Sequence, residues 1–141
     1  MDDATLQARV TLSTHTIHNP TEARHFMRLR PVQGRVRVLY DGLVVAESER
    51  AIRLLEVAKD FYDPTIYINA ADVLGRLRKA DKKSFCPLKG NASYYDLLSA
   101  SGETLVAEIA WTYDEPITIA EQLRELVSFY HHLVVVEEHP I

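Results

Sequence analysis

Cysteine occurs once in this chain, at Cys86, so no internal disulfide can close and no thiolate zinc site is available. Basic residues are not in excess. Sixteen Lys and Arg against 20 Asp and Glu leave a formal net charge of −4, whereas phosphate backbones are bound by basic faces, so nucleic acid is not the expected partner. Long apolar runs are absent: none approaches the ~20 residues of a membrane span. The opening Met1-Asp2-Asp3-Ala4 is acidic and lacks the basic and apolar regions of a signal peptide. A cytoplasmic, reduced protein with no membrane partner is therefore expected. Glycine is sparse, and Gly42, Gly75, Gly90 and Gly102 stand alone, so the sequence offers no glycine-rich phosphate loop. His15, His18, His25, His131, His132 and His139 form no recognised metal spacing, and His131 and His132 face opposite ways if extended. No metal and no cofactor is expected.

The 141 residues are enough for one domain with its own core, and 47% apolar and 26% charged residues are ordinary for a globular protein. No repeat, low-complexity tract or linker divides them. Residues 1–33 read as an N-terminal arm with a short helix, and residues 34–137 as a single β-rich body. In the arm, Arg9 to Thr14 has some β character. Asn19-Pro20-Thr21-Glu22 is a helix-start signature, with Asn as N-cap, Pro at the first helical position and Glu at N3, which predicts a helix from Pro20 to Leu29 stopped by Pro31.

In the body, Arg35 to Tyr40 alternates polar and apolar residues, Asp41-Gly42 suits a two-residue type I′ turn, and Leu43 to Ala46 returns as the second strand of a hairpin. Ser48 suits a cap for a short helix over Arg50 to Glu56, although the same residues also fit an extended segment. Thr65 to Ile68, Lys82 to Cys86, Ala92 to Leu98 and Glu103 to Trp111 read as strands, with Ser101-Gly102 turning between the last two. Asn69 to Leu74 reads as one helical turn. Thr118 and Glu121 form a capping box, and Ile119, Leu123, Leu126, Val127 and Tyr130 fall on one helical face. Leu133 to Val136 is a closing strand. Short connections favour antiparallel pairing, so the fold class is mainly-β or α+β, antiparallel, with one or two flanking helices.

The chain turns on Ser84-Phe85-Cys86-Pro87-Leu88-Lys89-Gly90-Asn91-Ala92-Ser93-Tyr94-Tyr95. Pro87 fixes its own φ and pushes Cys86 towards extended backbone, while Gly90 can leave the turn at φ > 0. The expectation is a strand ending at Cys86, a tight corner, and a second strand entered near Ala92. Thiol and ammonium then share one corner. Cys86 is either a small buried hydrophobe or a thiolate favoured by the charge of Lys89. Lys89 is either a solvated turn residue or a point charge for a carboxylate or phosphate. Arg53, between Ile52 and Leu54, either pairs with Glu56 on a helix or clamps a ligand. Tyr94, Tyr95, Trp111 and Tyr113 are either core or the lining of one polar pocket. Arg76, Arg78, Lys79, Lys82 and Lys83, just before the corner, are either a strand edge blunted by charge or an electropositive mouth.

Ser84-x-Cys86-Pro87-x-Lys89-Gly90-x-Ala92-x-Tyr94 resembles the signature of the uncharacterised family known as domain of unknown function 427. Arg35-Val36-Arg37-Val38 with Val44-Val45-Ala46-x-Ser48, Ala51-x-Arg53-Leu54-Leu55-Glu56, and Ala110-Trp111-x-Tyr113 with Phe129-Tyr130 fit the same family, from about Gly34 to about Val136. Leu88 stands where the family often has an aromatic residue, and Ser84 where it more often has Thr. The resemblance implies a compact β-rich fold similar to the β-tent of certain zinc-binding domains, without their cysteines. Some catalogues give the family a nucleotidyltransferase label. Such enzymes pair metal-holding carboxylates with a Gly-rich loop, and this sequence has neither. The function expected is binding of a small, anionic molecule around the Cys-Pro-x-Lys-Gly turn. Cys86 and Lys89 are the candidate catalytic groups, with Arg53, Ser84, Tyr94, Trp111 and Tyr113 as ligand-binding residues. The alternative is an interaction or homo-oligomerisation module, with the apolar Leu133 to Val136 segment docking on a partner or a second copy. The sequence names no reaction.

Overall fold

The computed structural model describes residues 12–140. The acidic start and the first half of the stretch expected to have β character, Arg9 to Thr14, lie outside them, and residues 12–14 are not strand. Eleven strands follow one another: β1 (Ile17–Asn19), β2 (Glu22–Pro31), β3 (Arg35–Tyr40), β4 (Leu43–Ser48), β5 (Ile52–Val57), β6 (Thr65–Asn69), β7 (Arg76–Cys86), β8 (Gly90–Leu98), β9 (Thr104–Pro116), β10 (Leu126–Phe129) and β11 (Val135–His139). Eight form one sheet in the order β1-β2-β5-β6-β10-β9-β8-β7, and three form a second in the order β11-β3-β4. Every paired strand is antiparallel. The mainly-β antiparallel expectation holds.

The hairpin of β3 and β4 forms where the alternation and the Asp41-Gly42 pair put it. Asp41 (φ +47°) and Gly42 (φ +80°) both take the left-handed backbone that a type I′ turn requires. Its inward residues Val36, Val38, Val45 and Ala46 pack on Ile66, Ile68, Leu97, Ile109, Val127 and Phe129 of the large sheet. The opposite face of the large sheet buries Met27, Leu54, Tyr67, Ala92, Tyr94 and Tyr113 beneath Leu88, Ala120 and Leu123. Strand β6 is thus buried on both faces, which is why Ile66-Tyr67-Ile68 is a continuous apolar run. Leu88, at the position where an aromatic residue is more usual, is fully buried core.

The helix expectations are corrected. Asn19-Pro20-Thr21-Glu22 does cap, but as a turn: Asn19 Oδ1 accepts from Thr21 N at 3.0 Å, and Asn19 pairs with Glu22 across a hairpin. Residues 22–31, read as most of a helix, are β2, which pairs with both β1 and β5. The helix considered over Arg50 to Glu56 is β5, and the extended alternative holds. The amphipathic helix from Thr118 shrinks to a 3₁₀ segment, Thr118–Leu123, after which Leu126–Phe129 enters the sheet as β10. The single turn after Asn69 is present as a 3₁₀ turn over Ala70–Asp72, with Asn69 Oδ1 accepting from Ala71 N at 2.9 Å. Of the closing segment expected over Leu133 to Val136, only Val135 and Val136 are strand. They begin β11, which runs on to His139 and pairs with β3 of its own chain, while Leu133 and Val134 lie in the turn before it.

Candidate functional site

The corner forms as its residues dictate. Lys89 N donates to Cys86 O at 3.1 Å, closing a four-residue turn between β7 and β8. Lys89 O accepts from Ile117 N at 3.0 Å, which ties the corner to the segment after β9. Gly90 holds φ +114°, and a Cβ there would stand 2.5 Å from Glu115 O, so both backbone conformation and space require glycine. The fixed corner turns the Lys89 side chain inward. Lys89 is only 8% exposed, and its Nζ donates to Glu56 Oε1, itself on a residue 9% exposed.

Glu56 comes from β5, where Leu54 and Glu56 share the inward face. Met27 lies opposite Glu56, so His25, two residues before it on β2, points to the same side, and His25 Nε2 lies 2.8 Å from Glu56 Oε2. The other ring nitrogen of His25 lies 3.3 Å from Asn19 Nδ2. Cys86 arrives from β7, at the far end of the strand order. Its Sγ, a ring nitrogen of His25 and a carboxylate oxygen of Glu56 all lie within 4.8 Å of one another. The large sheet therefore curls until strands remote in its order share one cluster.

Above Lys89 and Glu56 opens a cleft of about 620 Å³. Its walls carry Tyr67 from β6, Tyr94 from β8, Trp111 and Tyr113 from β9, and Tyr130, His131 and His132 after β10, with Asp63 among the lining residues. Register explains the wall. Tyr67, Ser128, Trp111 and Tyr94 are successive cross-strand partners on β6, β10, β9 and β8. Ser128 is the small member of that row, and across it Trp111 Nε1 donates to the Tyr67 hydroxyl at 3.1 Å. The Trp111 and Tyr67 rings meet edge to face at 6.2 Å, and Tyr130 packs against Trp111 at 4.6 Å with the rings tilted by 47°, both distances in the range favoured for aromatic pairs. Ser84 Oγ and the Tyr94 hydroxyl lie 2.8 Å apart, and Lys82 Nζ stands 4.4 Å from the centre of the Tyr94 ring.

The electrostatics are those of a closed pair among neutral donors. Burial opposes the charge on Lys89, but the acidic groups around it, with the Glu56 carboxylate that accepts from Nζ, outweigh burial and hold the ammonium above its ordinary range. Burial pushes the phenols of Tyr67 and Tyr113 far up, so both are neutral hydroxyls near pH 7. Tyr130 is raised by burial and by its neighbour Tyr94. His131 is lowered by burial, which keeps it a neutral imidazole.

Of the residues singled out in the sequence, Lys89, Tyr94, Trp111 and Tyr113 line the cleft. Ser84 reaches it through the Tyr94 hydroxyl, and Cys86 belongs to the cluster with His25 and Glu56. Arg53 joins neither. It alternates with Leu54 on β5 and pairs with Glu138 of β11 at 2.5 Å, so the Arg53–Glu56 pair expected on a helix is replaced by Lys89–Glu56 and Arg53–Glu138. The basic residues before the corner sit on β7, the last strand in the order. There Arg78 pairs with Asp96 and Lys79 with Asp114, as a charged edge does. Sequence reasoning missed His25, Tyr67, Tyr130 and the role of Glu56. The available signal was an acidic residue two places after Leu54 in a stretch that also fitted a strand.

Fold and site together define an antiparallel two-sheet β domain with an aromatic-walled cleft floored by a buried Lys–Glu pair. The chain belongs to the family described as Domain of unknown function (DUF427), with the label NTP_transf_9, whose profile matches residues 28–139. No curated protein matches it.

Proposed function

We propose that this domain binds a small molecule carrying an anionic or carbonyl oxygen in the cleft, with that oxygen directed at Lys89. The observation that carries this reading is the Lys89–Glu56 pair on the cleft floor. An ammonium has three donors, Glu56 takes one, and the others point a ligand oxygen to a fixed place. The neutral phenols of Tyr67 and Tyr113 add donors without adding charge. Trp111 and Tyr130, tilted against each other, give an apolar wall, the combination of apolar lining and few placed polar groups that small-molecule sites use. Because Glu56 already balances Lys89, the cleft favours a ligand of low charge over a polyanion.

Trp111 is the only tryptophan, so its fluorescence reports on the cleft directly. Small carboxylates, aromatic acids and monophosphates are titrated while following Trp111 emission and the thermal midpoint together. A compound that shifts both, and loses at least about tenfold in affinity in Tyr130→Ala, supports the reading. A library in which no member moves the emission, or a ligand indifferent to Tyr130→Ala, overturns it.

A further inference from the structure

We propose that His25, Glu56 and Cys86 form a binding site for one divalent transition-metal ion, Zn²⁺ being the best match. The three donors come from β2, β5 and β7, and their ligand atoms already lie within 4.8 Å of one another, so small side-chain movements close them around an ion. Imidazole nitrogen, carboxylate oxygen and thiolate sulfur are the three donor types Zn²⁺ takes, and three protein donors leave a fourth tetrahedral position open. The Cys86 thiolate cancels one charge of the ion, and Glu56 is shared between the ion and Lys89, so one net positive charge is left for an anion such as hydroxide at the open position. The single cysteine argues against a thiolate zinc site in the sequence, but that argument holds for sites built from several cysteines and not for a mixed set. Spacing concealed this one, because His25 and Glu56 are 31 residues apart and meet only through strand register.

The surroundings supply what such ligands need around them. Lys89 holds Glu56 Oε1, leaving Oε2, the oxygen turned toward His25, for the ion. A metal on His25 Nε2 moves the ring proton to Nδ1. The Asn19 side chain, buried against that nitrogen, then turns its oxygen to accept it and gives up its bond from Thr21 N. His25 also lines a separate pocket of about 630 Å³ with Glu22, Arg24, Ala58 and Lys59, so one of the three donors is reached from outside the aromatic cleft. The site shares Glu56 with the cleft floor, but its other two donors, His25 and Cys86, are not among the cleft's lining residues, so it does not depend on the cleft binding a small molecule.

The test is a titration of the metal-stripped full chain with Co²⁺, followed by competition with Zn²⁺. The expected result is one equivalent of Co²⁺ giving a thiolate-to-metal absorption and tetrahedral visible bands, both abolished by Zn²⁺. Cys86→Ala should remove the thiolate band, and His25→Ala should weaken binding at least about tenfold. Circular dichroism verifies that each variant is folded, and His25→Cys, which restores a donor, keeps the test open if His25→Ala is not. Binding unchanged in both Cys86→Ala and His25→Ala, or no one-equivalent absorption in the wild type, would overturn the site. Trp111 emission with small acids is read separately, so failure of one reading does not carry the other with it.

Discussion

Lys89 and Glu56 are 33 residues apart in the chain and form an ion pair whose side chains are only 10% and 9% exposed. Removing one partner strands the other charge away from water. Lys89→Met and Glu56→Gln are each expected to destabilise by about 3–5 kcal/mol, whereas the double variant Lys89→Met, Glu56→Leu should lie closer to wild type than either single change. Urea unfolding of the three variants measures this. Single variants that cost less than ~1 kcal/mol would show that the pair is solvated.

Gly90 offers a sharper comparison. Its φ of +114° and the 2.5 Å approach of Glu115 O combine strain with a clash, while Gly102 (φ +87°) has nothing within 4 Å of a built Cβ. Gly102→Ala should cost about 1–2 kcal/mol from backbone strain alone, and Gly90→Ala about 3 kcal/mol or more. Equal losses in thermal or urea unfolding would mean the corner can move away from the strand behind it.

Ser128 is fully buried in the row between Tyr67 and Trp111, and its Oγ donates to Ile66 O at 2.8 Å. Ser128→Ala removes that bond for about 1 kcal/mol and should leave Trp111 emission where it is. Ser128→Leu wedges the two rings apart, costs a further ~1–3 kcal/mol from overpacking, and should red-shift the emission as the Trp111–Tyr67 bond is lost. Identical spectra for the two variants would sink this account of the wall.

Acid should unfold the protein partly through Asp72. Hydrogen bonds from Arg50 and Ser48 hold its carboxyl below the ordinary range. A carboxyl depressed in the folded state adds stability above its unfolded pKa of about 3.9, and that stability is lost as pH falls through the depressed value. Between about pH 5 and pH 2, Asp72→Asn should therefore show a shallower decline of unfolding free energy than wild type. Parallel curves would show that Arg50 and Ser48 contribute nothing to the acid limb.

What the sequence made legible was local chemistry. Asp41-Gly42 has one good use between two alternating strands, and Pro87 with Gly90 has one good use between Cys86 and Ala92, so hairpin and corner were both readable. The β5 strand was obscured by its function. Glu56 faces inward, and a charge at an inward position breaks the apolar alternation that marks a strand, leaving Arg50 to Glu56 open to a helical reading. The Asn19 cap was read for the right chemistry and the wrong element, since an asparagine that accepts from the amide two residues on serves a hairpin turn as well as a helix. The site suffered most, because His25, Glu56, Cys86 and Lys89 meet through register between strands, and register is not written in any one of them.

The position of β10 governs how the chain can be assembled. Four residues, Leu126–Phe129, lie between β6 and β9 and, among the described residues, are the one strand that pairs the β1-β2-β5-β6 half of the large sheet with the β9-β8-β7 half. During synthesis from the N-terminus, the half that ends with β6 at Asn69 can pair internally well before residue 126 exists, and the half that ends with β9 at Pro116 only shortly before it, each with an unpaired edge facing outward. Arrival of β10 fills both edges in one step and sets Trp111 opposite Tyr67, so the cleft comes into being only when the last strand of the large sheet inserts. Until then the nascent chain is two aggregation-prone half-sheets, and the speed of that single insertion sets how long the hazard lasts.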